Sequence, residues 1–398
     1  MTARDGAPAY IIAARRSPVA PRGGALAHLQ ADELAAPVLQ RLLLDAGLSP
    51  TSVDHVILGN ALYAGGNPAR LAALRAGLPA AVPAMTIDTQ CCSGLDAITL
   101  GVRMIEAGAA DCILAGGAES FSRSPIRMHR PAARDAEPAP YARPAFAPPP
   151  FDDPDLTDAA ARLARDRAVP ATAQAEFAVA SHAKALAAKS RHADRLVECV
   201  PGVREDDFTR PLTLKTALRA PVLAGSDGCD LTAATIACEA DAAAAVLLVS
   251  ERSWKRSGRS GLKVAAARSA GGEPSDPALA PIGVASSLFA DLGKTAADFD
   301  IVELMEAYAV QAMVTIEELG FDTDAVNRHG GALARGHPIG ASGAVLMVQL
   351  FEQLARTSGN AEETGRRQGL ALIAAAGGLG SGMAVEAVIC DRKREVAR

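Results

Sequence analysis

Two segments carry residues whose types and spacing could do covalent chemistry. In TIDTQCCSGLD (86–96), Cys91 stands between a strand-like approach and an amphipathic helix that begins near Ser93. A cysteine placed there feels the positive end of the helix dipole and faces unpaired N–H groups, and both favour the thiolate. The same N–H groups could hold an oxyanion. The competing reading of a free cysteine is a small buried hydrophobe. Cys92 fits that reading, because one of two adjacent residues normally points inward. In GGALARGHPIGASG (330–343), His337 sits in a glycine-rich turn that enters a second amphipathic helix. An imidazole held there could accept a thiol proton, the arrangement of an activated nucleophile. The turn could instead be a capping loop with a structural histidine or a phosphate cradle. No Lys-Ser/Thr pair follows it, so it is not a P-loop.

The other histidines carry little signal. His28, His55, His129, His182 and His192 are scattered, and His329 is expected to face solvent or the loop backbone. No metal site is expected. The stretch AAAGGLG (374–380) lacks the full GxGxxG and its later acidic residue, so it is weak evidence for a nucleotide.

These side chains need elements to hold them. Ala9–Ala14 reads as a first strand, and Asp32 as the cap of a helix running to about Ala46 with Gly47 at its end. Val53–Leu58 and Asp111–Ala115, the latter closing on Gly116–Gly117, read as further strands. Strands alternating with helices predict βαβ units and mostly parallel sheets. Pro131–Pro154 is dense in Pro, Ala and Arg and is expected to be irregular or polyproline-like. Pro170–Lys189 reads as a helix with Pro in its first turn. Residues 120–240 thus form a long excursion from an α/β body whose rhythm resumes at Asp241–Ser250.

A weak internal duplication is visible. CCSGLDAITLGVRMIEAG leads to DCILAGGAES, and HPIGASGAVLMVQLFEQL leads to LALIAAAGGLGSG. Each unit is a Ser-Gly turn, an amphipathic helix, then an apolar strand closing on Gly-Gly. All βαβ units look somewhat alike. If the repeat is real, the chain has two similar halves and an active site where the two Ser-Gly turns face each other.

Composition narrows the function. A length of 398 residues suits two or three domains, and 49 % hydrophobic with 21 % charged residues is ordinary for a globular protein. Aromatics are only 4 %, so the core must be built from Ala, Val, Leu and Ile. A net charge of −5 argues against a nucleic-acid or anionic-membrane partner. The longest apolar run, Ala242–Val249, is too short to span a bilayer, and Met1–Arg16 has no secretory h-region. Seven cysteines with no C-x-x-C spacing suit a reducing cytoplasm better than a disulfide scaffold or zinc ribbon.

Together these segments resemble the thiolase family, the acyl-CoA acyltransferases that make or cleave β-ketoacyl-CoA. The resemblance runs from about Tyr10 to Val388 and is clearest in LGNALYAGGNPARLAALRAGLPAAVPAMTIDTQCCSGLDAI (58–98). It continues in GGAESFSRSP, SHAKALAA, DFDIVELMEAY and NRHGGALARGHPIGASGA. The resemblance implies an α/β, five-layer αβαβα body from two duplicated halves, residues 1–262 and 263–398, with a loop domain inserted at about 120–240. It implies that Cys91 is the nucleophile acylated as a thioester and that His337 activates it and helps bind the thioester oxygen. It places Arg219 among coenzyme A contacts and Ala376, Gly377 and Glu306 at the substrate. The substrate would be a coenzyme A thioester, with no bound cofactor or metal, and the assembly a homodimer or homotetramer.

The chain departs from the family pattern at places that matter. The second catalytic cysteine of the family, which exchanges the Cα proton of the acceptor, aligns with Ala374. The Asn of the Asn-Glu-Ala-Phe motif becomes Met305, and the coenzyme A segment reads Ala233–Cys238. The expectation is therefore an acyltransferase that acylates Cys91 but is poor at carbon–carbon chemistry. A full thiolase with a base relocated to Glu306 or Cys390, and a non-catalytic subunit of the same fold, are the alternatives.

Overall fold

The computed structural model describes residues 7–63, 66–133, 136–141, 143–192, 196–355 and 367–390. The outermost residues of both expected halves, 1–6 and 391–398, lie outside the described residues.

The first half runs β1 (Ala9–Arg16), α1 (Ala31–Ala46), β2 (His55–Gly59), α2 (Pro68–Arg75), β3 (Ala84–Ile87), α3 (Ser93–Glu106) and β4 (Cys112–Glu119). After an excursion holding α4 (Leu156–Asp166), α5 (Ala171–His192) and α6 (Leu214–Leu218), it closes with β5 (Ala240–Ser250). The second half runs β6 (Gly261–Gly271), α7 (Ala280–Leu292), β7 (Ile301–Leu304), α8 (Ala309–Leu319), α9 (Ile339–Ala355), β8 (Gln368–Ala375) and β9 (Leu379–Val388).

The strands lie in the order β7-β8-β9-β6-β1-β5-β4-β2-β3, the two halves meeting at β6 and β1 through Lys263–Tyr10 and Leu262–Ile11. Both halves repeat one pairing pattern. From the junction outward, β1–β5, β5–β4 and β4–β2 are antiparallel, antiparallel and parallel, and so are β6–β9, β9–β8 and β8–β7. Even the outermost β2–β3 pairing has a counterpart, a parallel bridge between Val302 and Val326. This shared topology gives the internal duplication a structural basis that pattern alone lacked.

The expectation of mostly parallel sheets is not met. Parallel pairing is confined to the outer strands, because β5 and β9 insert antiparallel beside the junction. The short turn Ala376–Gly378 joins β8 to β9 and is far too short for a crossover helix. Asp32 is likewise not a cap. Gln30 caps α1 through a box with Glu33, and Asp32 instead pairs with Arg75 at 2.8 Å. Gly47 does end the helix, in the left-handed conformation at φ 67°.

Five layers follow from which faces are apolar. Helices α1 and α2 cover one face of the first sheet, and α7 and α8 cover the outer face of the second. Between the sheets lie α3 and α9, packed on each other and on both inner faces. All eleven residues of β5 are buried, as expected of a strand covered on both sides. Small residues let the central helices approach: a Cβ at Gly94 would lie 2.8 Å from the Gly340 carbonyl oxygen, and one at Gly343 2.6 Å from the Leu95 nitrogen. The two Ser-Gly turns therefore face each other. Among the described residues, 122–239 add no strand to this sheet.

Candidate active site

The turn ahead of α3 is built to present Cys91. Gln90 adopts a left-handed φ of 56°, a conformation that side-chain-bearing residues rarely take without support. The support is local. The Ser93 hydroxyl receives the Thr89 N–H at 2.9 Å and donates to the Gln90 carbonyl at 2.5 Å. Asp96, one turn into the helix, accepts from the Thr89 hydroxyl at 2.6 Å and from Ser269 and Ser381 of the other half. Cys92 turns inward and is buried, with its thiol 3.7 Å from the Ile373 carbonyl.

His337 is delivered from the opposite half. Its backbone N–H donates to the Cys238 carbonyl at 2.7 Å, and Pro338 then leads into α9. The imidazole Nε2 lies 3.1 Å from the Cys91 sulfur. Nδ1 lies 2.7 Å from the Ser342 hydroxyl, which is itself 3.0 Å from the Pro338 carbonyl. A carbonyl can only accept, so the Ser342 proton goes to Pro338 and its oxygen accepts from Nδ1–H. That tautomer leaves Nε2 bare and facing the thiol.

Electrostatics make this a neutral pair at rest. Burial pushes the Cys91 thiol up to about 12, against the backbone N–H groups of Ala376 and of Cys91 itself, which favour the thiolate. Burial also pushes His337 down to about 4. At neutral pH the thiol therefore keeps its proton and Nε2 stays bare, so the pair holds no standing thiolate.

The pair lines a cavity of about 140 Å³. Ala374, Ala375 and Ala376 line it beside Cys91 and His337, and Leu156, Ile236, Pro277, Tyr308 and Gln311 form its walls. The Tyr308 hydroxyl is 3.2 Å from that of Thr157. Ala376 thus belongs to the site through its backbone N–H. Gly377 does not line the cavity, but its left-handed φ of 76° shapes the turn that carries Ala376.

The remaining sequence candidates sit elsewhere. Glu306 is buried and faces protein on all sides, accepting from Ser181 at 2.7 Å, Asn327 at 2.7 Å and the Leu333 N–H at 3.2 Å. It anchors the turn that carries His337 and does not line the Cys91 cavity. Burial raises its pKa, while Asn327 and Ser181 oppose the rise. Met305 is buried behind the histidine turn, in a separate small space with Glu303, Ser342 and Pro338. Arg219 is exposed at the end of α6, away from the cavity lining. Cys390 lies beyond the end of β9, its thiol 3.8 Å from the Lys255 carbonyl. A larger cleft of about 740 Å³, around Lys189, Asp206 and Arg335, holds none of the reactive pair.

Sequence reasoning missed three residues that shape the site. Ser342 was signalled only by its place one helical turn after the His-Pro step. Glu119 ends an apolar buried strand, the position where a carboxyl calls for a structural explanation. It accepts from Asn60 at 2.8 Å, the Ala61 N–H at 2.9 Å and the Gly340 N–H at 3.0 Å, so it ties the two halves beside Cys91. Burial pushes its pKa up to about 7 against the backbone N–H groups of Ala61, Gly340 and Leu62. Gln311 carried no signal in the sequence.

Comparison with known proteins decides the family. Residues 9–252 match the thiolase N-terminal domain and residues 260–387 the thiolase C-terminal domain. The chain belongs to the thiolase family. It is 34 % identical to the acetyl-CoA acetyltransferase of Cupriavidus necator, over 94 % of this chain and 98 % of that one. It is 37 % identical to a putative acetyl-CoA C-acetyltransferase of Bacillus subtilis, over 87 % and 92 % of the two chains. The crystal structure of the Bacillus anthracis acetyl-CoA acetyltransferase superposes with a TM-score of 0.87 at 28 % identity, covering 97 % of this chain and all of that one. The protein is thus a thiolase-type acyltransferase with the two-domain thiolase fold. Among the described residues, no helix of this thiolase is long and apolar enough to cross a membrane.

Proposed function

We propose that this thiolase forms an acyl-thioester on Cys91 with His337 as its base, and that it is a poor catalyst of carbon–carbon bond formation or cleavage. The observation that carries the first half is the 3.1 Å approach of His337 Nε2 to the Cys91 sulfur, with Ser342 holding the tautomer. In this reading the Cys91 proton passes to Nε2 as the sulfur bonds to the thioester carbonyl carbon. The oxyanion faces the N–H groups of Ala376 and Cys91. On collapse the C–S bond to coenzyme A breaks, and the leaving thiolate takes the proton back from Nε2. The donor is a coenzyme A thioester, and the acylation needs no bound cofactor or metal.

The second half rests on Ala374. It lines the cavity beside Cys91, and a methyl group cannot take a proton from the carbon next to an acceptor carbonyl. Loss of a general base typically costs about 10²–10⁴-fold. The acceptor is therefore one that needs no Cα proton abstraction, or one that loses CO₂ instead. We further read the chain as two halves divided near residues 262 and 263, assembled as a homodimer or homotetramer in the cytoplasm. Arg219 remains a candidate coenzyme A contact because its exposed guanidinium is open to a phosphate.

The names of the relatives favour a second reading, a working acetyl-CoA acetyltransferase with a relocated base. Neither Glu306 nor Cys390 lines the cavity, which leaves Tyr308, whose phenol burial pushes up to about 12. Mass spectrometry of the intact protein after incubation with acetyl-CoA tests the proposal. One acetyl adduct is expected on the native chain and none on Cys91→Ala; the absence of any Cys91-dependent adduct would refute it. Cleavage of acetoacetyl-CoA is expected near background and to rise by about 10²-fold or more in Ala374→Cys. Turnover of the native enzyme in the ordinary range, about 1–10³ per second, establishes the second reading instead.

A further inference from the structure

The Cys91 cavity holds a base but little with which to recognise a second substrate. Among the described residues lining it, Cys91, His337 and Tyr308 are the ionisable side chains, with no Asp, Glu, Lys or Arg. Burial pushes the Tyr308 phenol up to about 12, so it keeps its proton, and its hydroxyl is 3.2 Å from that of Thr157. Gln311 meets the cavity with carbon alone, since both of its amide atoms are shut off from solvent. Leu156, Ile236 and Pro277, together with alanines, make the rest of the wall aliphatic. His337 Nε2 is therefore the one side-chain base there at neutral pH, and it lies 3.1 Å from the Cys91 sulfur.

We propose a further activity: the enzyme hydrolyses short acyl-CoA thioesters, water being the acceptor that takes the acyl group from Cys91. The proposal rests on the reading that Cys91 is acylated. After acylation the Cys91 proton has left with coenzyme A, and Nε2 is bare again beside the new thioester. A water hydrogen-bonded to Nε2 gives it one proton as the water oxygen bonds to the acyl carbon. The oxyanion faces the N–H groups of Ala376 and Cys91. On collapse the carbon–sulfur bond breaks, the Cys91 thiolate takes the proton from Nε2, and the carboxylic acid leaves. A carbon acceptor needs a base at its Cα, where this cavity has Ala374. An alcohol or amine acceptor needs polar groups to hold it, and the wall offers no reachable side chain for that beyond Tyr308. Water needs neither. Room sets the preference for short chains. A cavity admits a water from about 10–15 Å³ upward, so one of about 140 Å³ takes an acetyl group and a water together. A longer chain fills the same space along the aliphatic wall and drives the water out.

The test gives the full-length protein acetyl-CoA in water enriched in heavy oxygen and follows free coenzyme A and acetate by chromatography and mass. Coenzyme A release is expected to continue past the first equivalent, with one solvent oxygen in each acetate, and to fall to the spontaneous rate in Cys91→Ala. Acetyl-enzyme freed of coenzyme A is expected to decay about 10²–10⁴-fold faster folded than unfolded in urea. The hexanoyl-enzyme is expected to outlive it, as is acetylated Ala374→Val, whose larger side chain takes up space beside Cys91. If the valine variant fails to fold, the hexanoyl comparison serves in its place. An acetyl-enzyme that decays no faster folded than unfolded overturns the proposal and leaves the acylation reading standing. Equal lifetimes of acetyl- and hexanoyl-enzyme overturn the preference for short chains. Absence of both a Cys91-dependent adduct and coenzyme A release refutes the acylation reading as well.

Discussion

At the scale of single residues, the resting site is a buried neutral pair. With the thiol pushed up to about 12 and the imidazole down to about 4, both partners keep their protons unchanged across the ordinary pH range. The sign of the prediction follows. His337 is the free base at every pH above about 4, so Cys91 acylation should be nearly flat from about pH 5.5 to 8.5 and fall only in stronger acid. Single-turnover rates across pH check this; an inflection near the ordinary histidine value would show that His337 titrates as though in water. His337→Ala should slow acylation by about 10²–10⁴-fold without abolishing thioester binding. An ion-paired cysteine and histidine would behave differently, since a standing thiolate alkylates readily at neutral pH. Slow iodoacetamide labelling of Cys91 distinguishes the two.

At the scale of elements, the distance between Cys91 and His337 is set by how closely α3 and α9 approach. Cys91 precedes one helix and His337 the other, and their first turns touch through backbone rather than side chains. A Cβ at Gly94 would meet the Gly340 oxygen at 2.8 Å and the Ala344 nitrogen at 2.9 Å. Neither can swing aside as a side-chain tip could. Gly94→Ala should therefore separate the helices, destabilise the fold by about 1–3 kcal/mol and lower the acylation rate. Gly283 of α7 is the control. A Cβ there meets nothing within 4 Å, so Gly283→Ala should be neutral or stabilising by about 0.4–1 kcal/mol, with activity retained. Denaturant unfolding together with acylation rates separates the two variants. Equal behaviour of the pair would remove the helix contact as the determinant of the site.

At the scale of the whole molecule, one buried charge cluster joins the inserted segment to both halves. The carboxylate of Asp206 accepts from Arg16 of β1 at 2.6 and 2.8 Å and from the Val19 N–H at 2.9 Å. Arg335, two residues before His337, approaches it at 3.3 Å. The Arg16 side chain is fully buried. Burial alone would push the Asp206 carboxyl up, but Arg16 and Arg335 hold it down at about 2. Removing one member of a buried ion pair strands its partners, so Asp206→Asn should cost about 3–5 kcal/mol at neutral pH. The carboxylate stabilises the fold above its ordinary unfolded value and loses that effect as pH falls toward 2. The gap between native and variant midpoints in urea should therefore narrow in strong acid. A constant gap would mean that Asp206 acts through packing rather than charge.

Much of this was legible along the chain because the signals were local. Where α3 begins, that Cys91 stands at its positive end, that Gly47 ends α1 and that a glycine-rich turn carries His337 all depend on residues within a turn or two. The duplication was legible too, since each copy repeats the same local unit. What the sequence left open depends on partners far apart. Cys91 and His337 are 246 residues apart in the chain, and only the packing of α3 on α9 brings Nε2 within 3.1 Å of the sulfur. The direction of β5 and β9 was misjudged because alternation of strands and helices says nothing of which neighbour a returning strand joins. Glu306 looked like a site residue from its motif, yet its surroundings commit it to holding the histidine turn. Residue types along the chain thus determined which chemistry was available, whereas tertiary packing decided which groups meet and which proton each carries.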